Sequence, residues 1–241
     1  MADVLRWRIL VVEETTSTND DVRLAADQGE PDGFVLRANH QLSGRGRHGR
    51  VWNSPEGNLY TSILLRPNAS HKNYGHYSFI TALAIYDVVK ASAPKSPVTL
   101  KWPNDVLVDG CKIAGILLEA GPDYLIIGIG LNVAQYPDDV RTAATSLDHI
   151  GANISVETAL DNLLAALGRW LDDYNDNGFL PIRNAWMLRA HKGEITVKLP
   201  NEKLDGMMLG VDEGGALRLG LADGTERVIS SGEVFLGTGQ G

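Results

Sequence analysis

The chain holds one cysteine, Cys111, among 241 residues. An internal disulfide is therefore excluded, and a lone thiol fits a reducing compartment. Long apolar runs are missing from the start of the chain. Ile9 to Val12 is followed at once by Glu13, too short a run for a signal-peptide core or a membrane span. A cytoplasmic protein with no membrane contact is expected. Basic residues are in deficit: 22 Lys and Arg against 30 Asp and Glu give a formal net charge of -8. That balance argues against wholesale coating of nucleic acid, which asks for a basic domain or face. The histidines, His40, His48, His71, His76, His149 and His191, lack metal-ligand spacing. There are no repeats and no low-complexity tracts.

What is present is an ordinary globular composition, 44% apolar and 22% charged. The length suits one large domain, or a medium one with a small one. "LRWRILVVEET" reads as a strand. The "STNDDVRLAADQG" that follows reads as a helix: Ser17, Thr18 or Asn19 can cap it, Asp20 and Asp21 fall in its first turn, and Gly29 can end it. "GFVLRANHQ" and "NLYTSILLRP" read as strands. "YSFITALAIYDVVKAS" is a largely buried helix that stops before Pro94.

The segment "VTLKWPNDVLVDGCKIAGILLEAGPDYLIIGIGLNV" decides the fold class. Asp109-Gly110 between its first two apolar runs is a strong hairpin signal, and Gly121-Pro122-Asp123 separates the next two. Connections this short cannot cross over between parallel strands. The class is therefore α+β, a central antiparallel or mixed sheet packed with helices. "VETALDNLLAALGRWLDDYNDNGF" is an amphipathic helix and "LPIRNAWMLRA" another. Past His191 the pattern changes to short strands with glycine turns. A boundary near residue 190 is expected, with 1–190 as the main domain and 191–241 as a small SH3-like β-barrel.

The most unusual stretch is "LSGRGRHGRVW", Leu42 to Trp52, a knot of arginine and glycine in an acidic chain. Gly44, Gly46 and Gly49 spell G-x-G-x-x-G. That pattern marks a dinucleotide site only where a helix begins and offers its N-terminus to a pyrophosphate. Here Pro55 and Gly57 follow, so no helix is expected. One alternative is a solvated loop whose arginines serve solubility. The other is an anion-binding loop, because glycine lets backbone approach a ligand closely and arginine offers forked donors. Such a loop should be mobile until an anion orders it.

Other polar residues interrupt apolar stretches. "KWPND" puts Lys101, Asn104 and Asp105 at a strand junction, where an Asx-capped turn is the plain alternative. Lys112 opens a buried strand and Asn132 closes one. Polar groups so placed should be paired or should face a cavity. Gly115, Gly128 and Gly130 thin the sheet where a flat ligand or another backbone could lie.

Together "STN" at Ser17–Asn19, "GRGRHGRVW" at Gly44–Trp52, "KWPNDV" at Lys101–Val106, "KIAGILLE" at Lys112–Glu119 and "GIGLNV" at Gly128–Val133 resemble the motifs of the biotin–protein ligases, in order and approximate spacing. The resemblance spans essentially the whole chain. His48 stands where that family often has a second basic residue. Larger members carry an N-terminal winged-helix DNA-binding domain, whereas here the motifs begin by residue 17. The form without that domain, and without sequence-specific DNA binding, is expected.

The resemblance implies a fold related to class II aminoacyl-tRNA synthetases and a two-step reaction. Biotin is activated by ATP with Mg²⁺ to biotinyl-5′-AMP, and a lysine of a biotin carboxyl carrier protein of acetyl-CoA carboxylase then takes the biotinyl group. Ser17, Thr18, Asn19 and Gln41 would bind the ureido head. Gly44, Arg45, Gly46, Arg47 and Gly115 would line the rest of the biotin site. Lys112 would sit at the carboxylate–phosphate junction, and Lys101 and Arg47 would serve catalysis with it. Arg47, Arg50, Trp52, Lys101, Asn104, Asp105, Lys112 and Asn132 would hold ATP. Metal ligands stay open, with Asp105 a weak candidate for orienting Mg²⁺ or the incoming amine. Monomer and homodimer both occur in the family. A lipoate–protein ligase, and a nucleic-acid-binding repressor using the basic loop, are the competing readings.

Overall fold

The Asp109-Gly110 turn closes a hairpin near one edge of a seven-stranded sheet. Both residues take left-handed backbone, φ 49° and 75°, as a tight two-residue hairpin demands. The computed structural model describes residues 7–68, 71, 73–137 and 143–236. In chain order the sheet is built from β1 (Arg8–Thr15), β2 (Phe34–Gln41), β3 (Leu59–Leu65), β4 (Val98–Lys101), β5 (Asp105–Val108), β6 (Cys111–Ala120) and β7 (Leu125–Leu131). Its order is β1-β2-β3-β7-β6-β5-β4. Only β1 and β2 run parallel, joined by the crossover helix α1 (Thr18–Asp27), so the sheet is mixed.

Side chains alternate across the sheet and sort into two layers. Leu36, Leu64 and Ile126 meet Val22 and Ala26 of α1 on one face. Val35, Ile63 and Ile127 face the larger core on the other. There α2 (His76–Ser92) lies against the sheet and is covered in turn by α3 (Val156–Asn177) and α4 (Phe179–Arg189). Packing on both sides explains why α2 is apolar nearly all round, while α3 keeps one stripe of Leu160, Leu163, Leu164, Leu167 and Leu171 buried. Ser155 caps α3, its hydroxyl accepting from the Thr158 amide at 3.1 Å. Ser17 occupies the N-cap position of α1, but its hydroxyl makes no capping bond.

The C-terminal strands are β8 (Glu194–Lys198), β9 (Lys203–Val211), β10 (Leu217–Gly220), β11 (Glu226–Ile229) and β12 (Glu233–Leu236). They pair antiparallel in the order β11-β10-β9-β8-β12. The SH3-like strand set is there, but among the described residues no ladder joins β11 to β12, so it is an open sheet rather than a closed barrel. Its inner face, including Ile195, Val197, Leu217 and Val234, belongs to the same buried cluster as α2 and the main sheet. The indole N–H of Trp102 donates to the Gly215 carbonyl at 3.0 Å, fastening the "KWPND" turn to the β9–β10 turn.

Candidate active site

A cavity of about 430 Å³ opens over β6 and β7, a volume suited to a small organic ligand. Of the residues expected at a site, Ser17, Thr18, Asn19, Gln41, Arg45, Gly46, Arg47, Arg50, Trp52, Lys101, Asn104, Asp105, Lys112, Gly115 and Asn132 all line it. Gly44 does not. It packs in the loop stem against the Trp52 carbonyl and Ser54, where a Cβ would collide.

One end of the cavity is neutral and densely hydrogen-bonded. Gln41 Oε1 accepts from the Thr18 amide at 2.9 Å and from its hydroxyl at 3.1 Å. Gln41 Nε2 donates to Ser54 Oγ at 3.1 Å. The buried Ser62 hydroxyl lies 2.7 Å from Thr18 Oγ1 and 2.5 Å from Asn19 Oδ1. Asn19 Nδ2 in turn donates to Glu119 at 2.8 Å. A chain of this kind holds each amide and hydroxyl in one orientation, which is what recognition of a polar, uncharged group requires.

The glycines under the cavity have specific tenants. A Cβ on Gly128 would strike the Asn19 carboxamide, and one on Gly130 would enter the Trp52 indole. Gly115 lies beneath both Trp52 and Lys112, each about 3.0 Å from where its Cβ would stand. The thinned sheet thus receives this chain's own Trp52 and Asn19. Lys112 Nζ sits 5.3 Å from the centre of the Trp52 ring, in cation–π range. The Trp52 indole N–H is buried with no acceptor among the described residues, an unspent donor in the wall of the cavity.

The other end is charged. Asp105 is buried between two lysines, 3.0 Å from Lys101 Nζ and 2.5 Å from Lys112 Nζ. Burial alone would raise its carboxyl; Lys112 and Lys101 outweigh that and hold it below the usual carboxylate range. The pair of cations therefore shares one anion and keeps a net positive charge. Asn104 Nδ2 donates to the Ile116 carbonyl at 2.7 Å, and Asn132 Nδ2 to the Thr145 carbonyl at 2.9 Å.

The arginine loop forms a hairpin, not a helix start. Trp52 N donates to the Gly44 carbonyl at 2.8 Å and Gly46 N to the Arg50 carbonyl at 2.7 Å. A single 3₁₀ turn, Arg47–Gly49, makes the tip, where His48 and Gly49 take φ of 57° and 70°. The three arginines differ. Arg45 forks onto Asp20. Arg50 is ion-paired with Glu233 of β12. Among the described residues Arg47 makes only long contacts, 3.4 Å to Asn104 Oδ1 and 3.4 Å to the Gly232 carbonyl, neither with a carboxylate. Burial draws its guanidinium below the ordinary value. A partly desolvated cation with no ion pair among the described residues, lining the same cavity as Lys101 and Lys112, is a site prepared for an anion.

Sequence reasoning passed over Ser62, Asp20, Glu119 and Glu233 as site residues. A serine inside the apolar run "TSILL" was a signal for Ser62. In the sequence Asp20 reads as a helix first-turn acid. Glu119 closes a quoted motif, and nothing local marks Glu233. Among the described residues no group of three or more His, Cys, Asp and Glu side chains could hold a metal ion.

Fold and cleft together define an α+β protein built to place a neutral polar head and an anionic reaction centre side by side. The chain belongs to the biotin/lipoate A/B protein ligase family, whose model matches residues 11–132, and residues 194–237 match the biotin protein ligase C-terminal domain. It is 38% identical to a biotin–[acetyl-CoA-carboxylase] ligase of Paracoccus denitrificans, over 94% of this chain and 100% of that one. A protein of the same name from Mycobacterium tuberculosis is 35% identical, over 95% of this chain and 89% of that one. Among solved structures, a biotin protein ligase from Aquifex aeolicus in complex with biotin and ATP superposes with a TM-score of 0.83, at 28% identity over 95% of this chain and 97% of that one.

Proposed function

We propose that the chain is a biotin–protein ligase, making biotinyl-5′-AMP from biotin and ATP and passing the biotinyl group to a lysine of a biotin carboxyl carrier protein of acetyl-CoA carboxylase. The observation that carries this reading is the polarity of this cavity, with a neutral hydrogen-bonding end at Thr18, Asn19 and Gln41 and a cationic end at Lys101, Lys112 and Arg47. Biotin has that polarity, a ureido ring at one end and a carboxylate at the other.

In the first step a biotin carboxylate oxygen attacks the α-phosphorus and the bond to pyrophosphate breaks. Two anions must meet, so the site has to supply positive charge. Lys112 and Lys101, held on Asp105, face the carboxylate and the α-phosphate, and Arg47 offers its fork to the phosphate oxygens. Arg50, Asn104 and Asn132 position the nucleotide, and Trp52 packs over the ligand. In the second step the acceptor amine attacks the carbonyl carbon and AMP leaves with the bonding pair. Catalysis is positioning plus electrostatics, with no covalent intermediate on the enzyme. Mg²⁺ would be held mainly by the ATP phosphates, with Asp105, already paired with Lys101 and Lys112, the carboxylate nearest the reaction centre that could orient it. It would neutralise phosphate charge; the protein supplies no cage of its own among the described residues.

The named relatives support biotin over lipoate. Arg45 and Arg50 are paired with acids, which speaks against an open cationic surface for DNA. Residues 1–190 are the catalytic domain and 191–241 an accessory one, supported by the two family matches on either side of the break. ATP-driven modification of a metabolic enzyme supports the cytoplasm as its place. The test is to incubate the chain with MgATP, an acceptor carrier domain and either biotin or lipoate. A biotin-dependent mass gain on one acceptor lysine is expected. No gain with biotin would overturn the reading.

A further inference from the structure

Arg45 and Arg47 stand two positions apart on one loop and meet opposite surroundings. Arg45 Nη1 is 2.5 Å from Asp20 Oδ2 and Nη2 is 2.7 Å from Asp20 Oδ1. Its Nη2 also lies 3.7 Å from Glu119 Oε1. Both acids serve a second guanidinium, Arg23, which is 3.0 Å from Asp20 and 2.8 Å from Glu119. Glu119 further accepts from the Asn19 amide at 2.8 Å. Two carboxylates and two guanidiniums thus balance in charge and tie the loop stem to the first turn of α1 and the far end of β6. The hydrogen bonds from Arg45 hold the Asp20 carboxyl below the usual carboxylate range, so it remains ionised near neutrality. A bidentate arginine–carboxylate contact fixes orientation as well as distance. A fork so occupied is not available to a second anion.

We infer that Asp20 and Glu119 are positioning residues for the reaction proposed above. Asp20 pins Arg45, and with it the stem of the loop, so that the loop presents Arg47 and not Arg45 to the reacting anion. Glu119 joins that pin to Asn19, setting the carboxamide at the neutral end of the cavity with the same carboxylate that flanks Arg45. The loop entrance and the ureido-binding end are thereby held in register by one side chain. Neither acid touches the reacting atoms in this arrangement, and the inference rests on the ligase reading for its catalytic consequence.

The test is a double-mutant cycle with two readouts. Asp20→Asn, Arg45→Gln and the double variant are compared by biotinyl-AMP dissociation and by single-turnover adenylation at saturating substrates. Each single change should speed dissociation roughly three- to tenfold. The double variant should be no worse than the poorer single, because both remove one interaction. Asp20→Asn and Arg45→Gln should lower the single-turnover rate by the same factor, since both release the loop that presents Arg47, and Asp20→Glu should recover most of the retention. Glu119→Gln should raise the KM for biotin more than it lowers kcat. An Arg45→Gln variant that slows the chemical step where Asp20→Asn does not, with effects that add, would overturn the assignment and make Arg45 a direct ligand of the anion. Trypsin cleavage after Arg45 and Arg47 in the ligand-free chain gives an arm independent of activity. Asp20→Asn should accelerate it at unchanged thermal midpoint, and equal cleavage in parent and variant means that the pin does not hold the stem. If the parent forms no biotinyl-AMP, the ligase reading fails while the trypsin arm still decides the pin.

Discussion

Arg50 of the glycine-rich loop and Glu233 of β12 form an ion pair that joins the loop tip to the C-terminal sheet. The tip is therefore supported from outside the main sheet, by a strand that shares its core with α2 and the catalytic strands. Arg50 is about half exposed, so the pair adds little to global stability, on the order of 1 kcal/mol or less. Its effect should be on the loop. Glu233→Lys replaces attraction by repulsion. It should raise the KM for ATP several-fold and leave the thermal midpoint nearly unchanged. A variant with parental KM would show that the C-terminal sheet does not support the loop.

Lys112 Nζ lies 2.5 Å from Asp105 and over the Trp52 ring. Lys112→Ala removes charge from the centre of the cationic end and leaves Asp105 with Lys101 alone. Biotin-dependent pyrophosphate release should fall about a hundredfold or more, comparable to the loss of one oxyanion donor. Unchanged release would reduce Lys112 to a structural role.

Away from the cleft, His76 gives a pH signature. It is 7% exposed, stacked on Phe179 at 3.6 Å, and bonded to Tyr174 and Asn73 at 3.0 and 2.9 Å. Burial pushes its imidazole down to about 4. The unfolded chain, near 6.5 for histidine, binds the proton more readily. The His76 contribution is therefore complete above about pH 6.5 and declines as pH falls toward 4. Over that window the loss reaches up to about 3 kcal/mol. Chemical denaturation of the parent and His76→Gln from pH 7 to 4 checks this. The parent should lose more stability than the variant, and parallel losses would refute a buried neutral His76.

Much of this architecture is visible in local sequence, and the exceptions share a cause. Asp109-Gly110 announces its hairpin because left-handed backbone is a local demand met by local residues. Pro55 and Gly57 after the arginine loop rule out a helix for the same reason, and the loop indeed closes on itself. The strands of the C-terminal unit are legible; their order is not, since β12 pairs with β8 rather than with its chain neighbour β11. The cleft divides likewise. Lys101, Asp105 and Lys112 stand out as charges at the ends of buried strands. Glu119, Asp20 and Glu233 look like ordinary surface acids until folding sets them against Arg45 and Arg50. Gly130 advertises space on the sheet, but no short stretch of sequence says that Trp52 fills it.

The loop tip yields the last expectation. An acyl phosphate is open to water, so the intermediate has to be enclosed until the acceptor amine arrives. Arg47 is the loop arginine without an acid partner among the described residues, half-buried at the edge of the cavity and only loosely held by Asn104 and Gly232. Arg47→Gly removes the fork that a bound adenylate phosphate would engage. It also adds a glycine to a tip that already carries Gly46 and Gly49, raising the entropy lost on closure. Both changes move the loop population toward open. Biotinyl-AMP should then escape and acylate exposed lysines of bystander proteins. Two measurements decide this together: the dissociation rate of labelled biotinyl-AMP and the biotin incorporated into albumin. Faster dissociation with albumin labelling is expected. If Arg47→Gly retains the adenylate as long as the parent and leaves albumin unlabelled, the loop does not enclose the intermediate, and Arg47 acts in the chemical step alone.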